Sequence, residues 1–525
     1  MLPLPTAPAI VTFAALMIAL VVGVVAHSAE TVTFAAVGLV GLGWALAATM
    51  PLARRLRRQR LELGWWLDHG TGAAGGAVVP GVPFDVRCYL RHRGRSSLEV
   101  TRVEPVVGRG VKVVEARPWR VAPSARTEAT LTLVAPAAGR VVLQGLALRV
   151  AGPFGFFESA LYFPNPLVIK VLPRSVAGPT LHGTTVPLAA AEARSGRTAV
   201  RRRGGGTELH ELRELVPGDP FKSIAWKASA RRGRLMVKEV EQEVQRTRWL
   251  ILDVSGSMRG GEPGRRKMDA ALEVAAGLCR QALEGGDQVG LLAFDARVVA
   301  SVAPGEGKAQ RIRLYEALLN TTELVDDDVT DLSERELVRL VARYVRQQDG
   351  VDYRRKGKVD IGAIVRHARR ALSDPDARDV RARDATSRVL RAYCRDRGLP
   401  LPHRPDPGEL AKSRALTEAL KQVGGRRRDA AAITVLTDLD GVFLDGALEQ
   451  ALKLMRAHGH EVTFALMEAE REKADDHGAL EADLRTVYGR MEDRRLRDGR
   501  NRLLALGARV SHVRPPRPRV ERSAA

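Results

Sequence analysis

Cysteine is scarce in this chain: Cys88, Cys279 and Cys394 are the only three in 525 residues, odd in number and far apart. No disulfide framework and no paired-cysteine metal site follows from that spacing, and the bulk of the protein fits a reducing compartment. Aromatic residues make up 5%, poor material for the stacking platforms of single-stranded nucleic-acid binders. No G-x-S-x-G elbow, no Walker loop and no H-E-x-x-H helix occurs, which removes the best-marked hydrolase and nucleotide-binding chemistries. Acidic residues are the minority charge, 61 against 83 basic, for a net charge of +22. Such an excess points to anionic partners, whether membrane surface, nucleic acid or acidic protein. The basic residues are nevertheless spread widely, as in an arginine-rich proteome. The length exceeds one ordinary domain, and 45% hydrophobic residues are ample for real cores.

Two long apolar runs stand at the start. Ala9 to Ala26 and Thr33 to Leu52 are each close to the ~20 residues that span a bilayer as a helix. Only His27 to Thr31 separates them, so a transmembrane hairpin over residues 1–62 is expected. No Lys or Arg precedes the first run, which argues against a cleaved signal peptide. Arg54, Arg55, Arg57, Arg58 and Arg60 follow the second. By the positive-inside rule that end, and the mass after it, faces the cytoplasm. Trp65 and Trp66 are either interfacial anchors or core of the next domain.

Residues 70–180 read as a small β-sandwich. Phe84–Leu90, Thr127–Leu133 and Arg140–Val150 alternate or run apolar, and turn residues such as Arg93-Gly94 and Ala137-Ala138-Gly139 punctuate them. Residues 190–245 hold a linker and a charged segment; 192–206, with Arg201-Arg202-Arg203-Gly204-Gly205-Gly206, has a linker's composition.

From 246 to 515 the pattern becomes α/β. A buried run, Trp249 to Leu252, stops at Asp253. Met268, Leu272, Ala275, Cys279 and Leu283 share a helical face, and Val289–Phe294 is a second buried strand. Ala432–Thr437 is a third, ending at Asp438; Glu461–Leu466 and Ala508–Val513 follow, with a helix over Gly446–Ala457. Strands alternating with helices imply a mostly parallel sheet covered on both faces. A charged helical insert occupies 326–430. In it Ser333-Glu334-Arg335-Glu336 is a capping box, and Leu337, Leu340, Val341, Tyr344 and Val345 form a stripe expected to pack on its own domain, with a partner-binding helix as the alternative. The segment Asp374–Arg388, dense in Arg and Asp, is expected to be mobile. His458-x-His460 reads as a surface loop, and 516–525 as a tail.

The functional candidates lie at strand ends. Asp253-Val254-Ser255-Gly256-Ser257 is a D-x-S-x-S pattern. A carboxylate and two hydroxyls are the hard oxygens that Mg²⁺ or Mn²⁺ prefers, and Gly256 lets the loop turn both hydroxyls inward. An Asp/Ser-rich N-cap is the alternative. Asp438, at a second strand end, strengthens the metal reading, since ligands of open α/β sheets bind there.

Glu208-Leu209-His210-Glu211-Leu212-Arg213-Glu214-Leu215-Val216-Pro217-Gly218-Asp219, then Ile224–Arg231 and Leu235–Glu239, resemble the signature of the bacterial domain of unknown function 58. Gly152-Pro153-Phe154-Gly155-Phe156-Phe157 resembles another motif of that family. The resemblance implies a von Willebrand factor A-like fold with a metal-ion-dependent adhesion site. It assigns Asp253, Ser255 and Ser257 to the first metal loop and Asp438 to the last. It also implies a MoxR-type AAA+ ATPase as partner and a place in the bacterial inner membrane, soluble domains facing the cytoplasm. Two positions depart from the pattern. Ala225 stands where the family has Asp before the signature Trp226. In Gly357-Lys358-Val359-Asp360, Val359 stands where the middle metal loop has Thr; Thr321 and Thr322 are the substitutes at hand.

The expected function is thus a membrane-anchored adaptor, not an enzyme, that binds protein partners with the help of a metal. A metal-dependent hydrolase lacks a visible base for Ser255. A membrane-tethered nucleic-acid binder working through Arg-rich segments lacks a recognition motif. Charged residues of the signature, Arg213, Arg231 and Lys238 among Glu208, Glu214, Asp219, Glu239, Glu241 and Glu243, are expected to form a salt-bridge network fastening it to the domain; a recognition surface for the ATPase is the alternative.

Overall fold

A computed structural model describes residues 3–58, 62–68, 78–91, 98–108, 110–115, 119–121, 126–174, 202–216, 219, 221–242, 246–355, 357–404, 410–425, 430–444, 446–468 and 479–513. The chain divides into two compact units, Met1–Leu181 with Val254–Leu272 and Leu318–Gly408, and His182–Asp253 with Glu273–Ala317 and Glu409–Ala525.

The first unit opens with helices Ala7–Val25 and Ala29–Arg58. Ala7–Val25 and Ala29–Pro51 are long and apolar enough to cross a membrane. Their base is tied down by the Gly152–Phe157 corner. Thr6 Oγ1 donates to the carbonyls of Gly155 and Phe156, each at 2.9 Å. Ala9, Leu42 and Ala45 pack with Phe157, and the Trp44 and Phe154 rings lie 6.1 Å apart. A Cβ on Gly152 would collide with the Thr49 hydroxyl, so this glycine is needed for close approach rather than for an unusual φ.

Beyond the helices stands a β-sandwich. One sheet orders Leu4–Pro5, Phe157–Val171, Gly139–Ala151, Leu98–Val107 and Trp119–Val121; the other orders Glu62–Leu67, Pro83–Arg91, Arg126–Val134 and Lys112–Glu115. Alternation puts Phe84, Val86, Cys88 and Leu90 on one face, where they meet Leu131, Leu143, Leu146, Leu148 and Leu161 in a common core. Trp65 joins that core and donates Nε1–H to the Asn165 carbonyl at 2.9 Å, whereas Trp66 stays partly exposed. The Arg93-Gly94 turn lies outside the described residues. The three cysteines are free buried thiols, and burial pushes each up to about 12.

The same unit holds the helical insert, and its boundary differs from the sequence reading. Helices Glu334–Tyr344, Ile361–Ala371 and Ala385–Asp396 share one core, Leu337, Val341, Tyr344, Ile364, Leu390 and Tyr393 among them. Helix Ala411–Gly424, read within the insert, instead buries Ala415, Leu416, Ala419, Leu420 and Val423 against the α/β sheet. The capping box is formed: Ser333 Oγ accepts from Glu336 N while Glu336 reaches back to Ser333 N. The Asp374–Arg388 segment is pinned rather than loose. Asp374 accepts from the backbone N–H of Asp376 and Arg378, Arg381 N–H donates to Asp326, and Asp384 caps the next helix through Ser387 N–H. Its Asp side chains serve as local turn acceptors, which composition alone does not reveal.

The second unit is an open six-stranded sheet. Thr247–Asp253 pairs in parallel with Gln288–Phe294 on one side and Ala431–Thr437 on the other. Val298–Gly305 closes one edge antiparallel; Glu461–Met467 and Arg509–Val513 extend the other in parallel. The chain runs from the centre to one edge, returns, and runs to the other edge. The strand order therefore reverses between Thr247–Asp253 and Ala431–Thr437, the crevice where such sheets bind ligands. Ile251, Leu292, Val435, Phe464 and Leu466 form the heart of its core; each fully buried side chain of this kind stabilises by roughly 1.5–3 kcal/mol. The supposed linker is partly strand: Arg202–Glu214 pairs antiparallel with Met236–Gln242, with irregular register between Arg203 and Glu208. Residues 192–201 and 516–525 lie outside the described residues.

A closed ion trio at the sheet's switch point

Both strand-end aspartates are where the sequence places them, and both have no exposed surface. Asp253 ends the buried strand Thr247–Asp253 and Asp438 directly follows the buried strand Ala431–Thr437, so each carboxylate enters the protein at the carboxyl end of a strand. Thr437 Oγ1 donates to Asp253 Oδ2 at 2.6 Å and accepts from Leu439 N–H at 3.1 Å. Asp438 Oδ1 accepts from Asp440 N–H at 3.0 Å, a local turn that Leu439 completes in the left-handed region at φ 57°.

A third charged group joins them. Lys412, 1% exposed on helix Ala411–Gly424, places Nζ 2.7 Å from Asp253 Oδ2 and 3.1 Å from Asp438 Oδ1. Burial pulls the lysine pKa down, but Asp253 and then Asp438 outweigh it and leave the ammonium above its usual value. The helix is anchored beside the second loop, because Ser413 Oγ accepts from Phe443 N–H at 2.6 Å and donates to its carbonyl at 3.2 Å. The side chain sits in the helix's first turn, where the backbone dipole disfavours a cation; the two carboxylates are what hold it.

This arrangement does not fit a divalent ion. Mg²⁺ needs an octahedron of oxygens at about 2.0–2.1 Å, and an ammonium already lies against both carboxylates. Among the described residues no group of three or more His, Cys, Asp or Glu is arranged to hold a metal. Ser255 and Ser257 pair with each other, Oγ to Oγ at 3.1 Å, and Ser255 stands at the N-cap position of the short helix Gly256–Arg259 without a side-chain cap bond. In the middle segment Asp360 caps helix Ile361–Ala371 by accepting from Ala363 N–H at 2.9 Å, and Val359 packs on the insert core. The hydroxyls of Thr321 and Thr322 bond back to the carbonyls of Leu318 and Leu319, both at 2.6 Å. Arg259 donates to the carbonyls of Val254, Thr321 and Thr322.

Sequence reading had no place for Lys412, Thr437 or Asp295. The signal for Lys412 was its spacing: it lies four residues before Leu416 and seven before Ala419, on a stripe that is otherwise apolar. Asp295 is buried directly past Phe294, the register partner of Asp253, a third strand-end acid. His458 and His460 lie in the connection between helix Gly446–Ala457 and strand Glu461–Met467, as read; His458 is exposed, whereas His460 is buried and its Nδ1 accepts from Ala431 N–H at 3.0 Å. Desolvation, then His458, lowers its pKa.

The signature segment forms its own small module. Arg213 donates to both oxygens of Asp219 at 2.7 and 2.6 Å; with Val216 N–H also donating, the Asp219 carboxyl is held down at about 2. Arg234 pairs with Glu214 at 2.7 Å. Ala225 occupies the N-cap of helix Trp226–Arg232, where an aspartate could have accepted an orphan N–H. Ser229 takes over the fastening, accepting from Met236 N–H at 2.8 Å and donating to the Ala225 carbonyl at 3.0 Å. Outward, Phe221 is 81% and Trp226 65% exposed. Lys222, Lys227, Arg231, Arg232 and Arg234 are exposed among them, and no acid occurs between 221 and 235.

Residues 211–347 match the family described as protein of unknown function DUF58. Uncharacterized proteins of Mycobacterium bovis and Mycobacterium tuberculosis are 28% identical over 105 residues, 20% of this chain and 33% of theirs; the match thus spans about a third of the length of these curated relatives. Among solved structures, an aerotolerance-related membrane protein from Bacteroides fragilis aligns with 44% of this chain and 75% of its own, at 14% identity and a TM-score of 0.18. A FixG-related protein from Vibrio parahaemolyticus aligns with 21% of this chain and 95% of its own, at 9% identity and a TM-score of 0.15.

Proposed function

With residues 211–347 carrying the DUF58 domain, we propose that the protein is a membrane-anchored adaptor, not an enzyme, that captures a protein partner on its signature module. The exposed Phe221–Leu235 surface carries this reading. Large aromatics left in water beside Arg and Lys are the composition of interface hot spots. The positive charge selects a partner with an acidic face, and a MoxR-type AAA+ ATPase is the candidate. The two apolar helices supply the anchor, in a bacterial inner membrane. Arg54, Arg55, Arg57 and Arg58 after the second span favour the cytoplasm for the remaining mass. We read the α/β unit as von Willebrand factor A-like, its strand order and switch-point acids supporting that assignment.

The test uses the full chain in nanodiscs and a purified MoxR-type ATPase from the same organism. The double variant Phe221→Ala/Trp226→Ala removes exposed side chains and leaves the core untouched, so it is expected to fold and to bind at least about tenfold more weakly, a loss of ~1.4 kcal/mol or more. Wild-type affinity in that variant sinks the assignment of this surface.

A further inference from the structure

We propose that the Lys412 ammonium is a resident cation standing in for a divalent ion at the sheet's switch point, so that the site is complete without metal. The inference goes beyond the adaptor reading and does not depend on it. It rests on the geometry of four side chains: Nζ touches both Asp253 and Asp438, at 2.7 and 3.1 Å, and the Thr437 hydroxyl saturates the same Asp253 oxygen. Lys412 is 1% exposed and both aspartates 0%, so neither bulk water nor a partner's carboxylate has access to the charge. Two carboxylates buried side by side need a positive charge between them. A lysine supplies it covalently, at fixed stoichiometry and without dependence on ion concentration. The consequence is a constitutive switch point, its carboxylates spent on the ammonium instead of coordinating an ion that recruits a partner.

The proposal predicts a gained metal site. Lys412→Ala removes the cation and its stem, leaving Asp253, Asp438 and the Thr437 hydroxyl around a void, a hard-oxygen donor set suited to Mn²⁺ or Mg²⁺. Mn²⁺ is titrated into the full chain in nanodiscs and followed by the loss of the free-ion electron paramagnetic resonance signal. Melting is recorded alongside, with Mg²⁺ and with chelator. Wild type is expected to take up no Mn²⁺ at millimolar concentration and to melt identically with Mg²⁺ and with chelator. Lys412→Ala is expected to bind one Mn²⁺ per chain and to melt several degrees higher with Mg²⁺ than with chelator. Stoichiometric Mn²⁺ uptake by wild type that Asp253→Asn abolishes overturns the proposal. So does a folded Lys412→Ala chain that ignores both ions. Should Lys412→Ala fail to fold, the wild-type titration alone decides.

Discussion

Each unit of this protein buries a basic side chain, and the two solve the problem in opposite ways. In the α/β unit Lys412 is a point charge held between two carboxylates, and the balance of burial against those charges leaves its pKa raised. In the helical insert Arg391, 1% exposed, spreads its fork over mostly neutral oxygens. It donates to the Val325 carbonyl at 2.8 Å, the Thr330 hydroxyl at 2.5 Å and the Ser387 hydroxyl at 3.1 Å, with one carboxylate oxygen of Asp327 at 2.7 Å. There desolvation prevails over Asp327 and the pKa is lowered. Lysine suits a site defined by charge and arginine a site defined by direction. The first locks two strand ends to a helix; the second ties the 325–332 loop to helix Ala385–Asp396.

The largest effect separating them is expected from Lys412→Met. It leaves two buried carboxylates without a cation and should cost about 3–5 kcal/mol. Adding Asp253→Asn to it should recover part of that loss, because a neutral side chain tolerates burial better than a lone carboxylate. Melting of the single and double variants against wild type reads this directly, and a double variant no more stable than the single breaks the charge account. Next comes Arg391→Lys, which keeps the charge and loses the fork. It is expected to cost roughly 2–3 kcal/mol, through neutral oxygens left unsatisfied. A silent Arg391→Lys would show that charge and not direction holds the insert.

A partly buried acid sharpens the contrast because its partner is poorly aligned. Glu323 lies 3.0 Å from Arg140, yet its Oε2 makes no hydrogen bond. Burial pushes its carboxyl up to about 7, against the opposing pull of Arg140. A carboxyl whose folded pKa exceeds its unfolded one binds more protons when folded, so stability falls as pH rises from about 4.5 to about 7 and stays reduced above. Lys412 is also raised, but for a base this adds stability, which persists until strongly alkaline pH. Glu323→Gln should therefore stabilise the first unit by roughly 1–3 kcal/mol at about pH 8 and by little at about pH 5. Melts at the two pH values check it, and an equal shift at both removes the titration.

Much of this was legible because periodicity is local. The buried strands ending at Asp253 and Asp438, the Ser333 capping box and the sandwich strand around Phe84 follow from residue spacing over a few turns. The partners of those aspartates were not. Asp253 and Thr437 are 184 positions apart in sequence yet share a hydrogen bond. Val359 invited a search for a replacement threonine, whereas the group that meets both aspartates is Lys412, within a stretch whose charge made it look like insert. Arg202–Glu214 shows the same limit: its Arg/Gly run reads as linker until Met236–Gln242 supplies the pairing strand.

The sequence by itself determined two apolar spans, a β region, an α/β region and acids at its strand ends, since hydrophobic period and run length are properties of neighbouring residues. Only the tertiary structure decided what neutralises those acids. A buried charge is satisfied by whichever group the fold carries to within about 3 Å, and helix Ala411–Gly424 carries a lysine there.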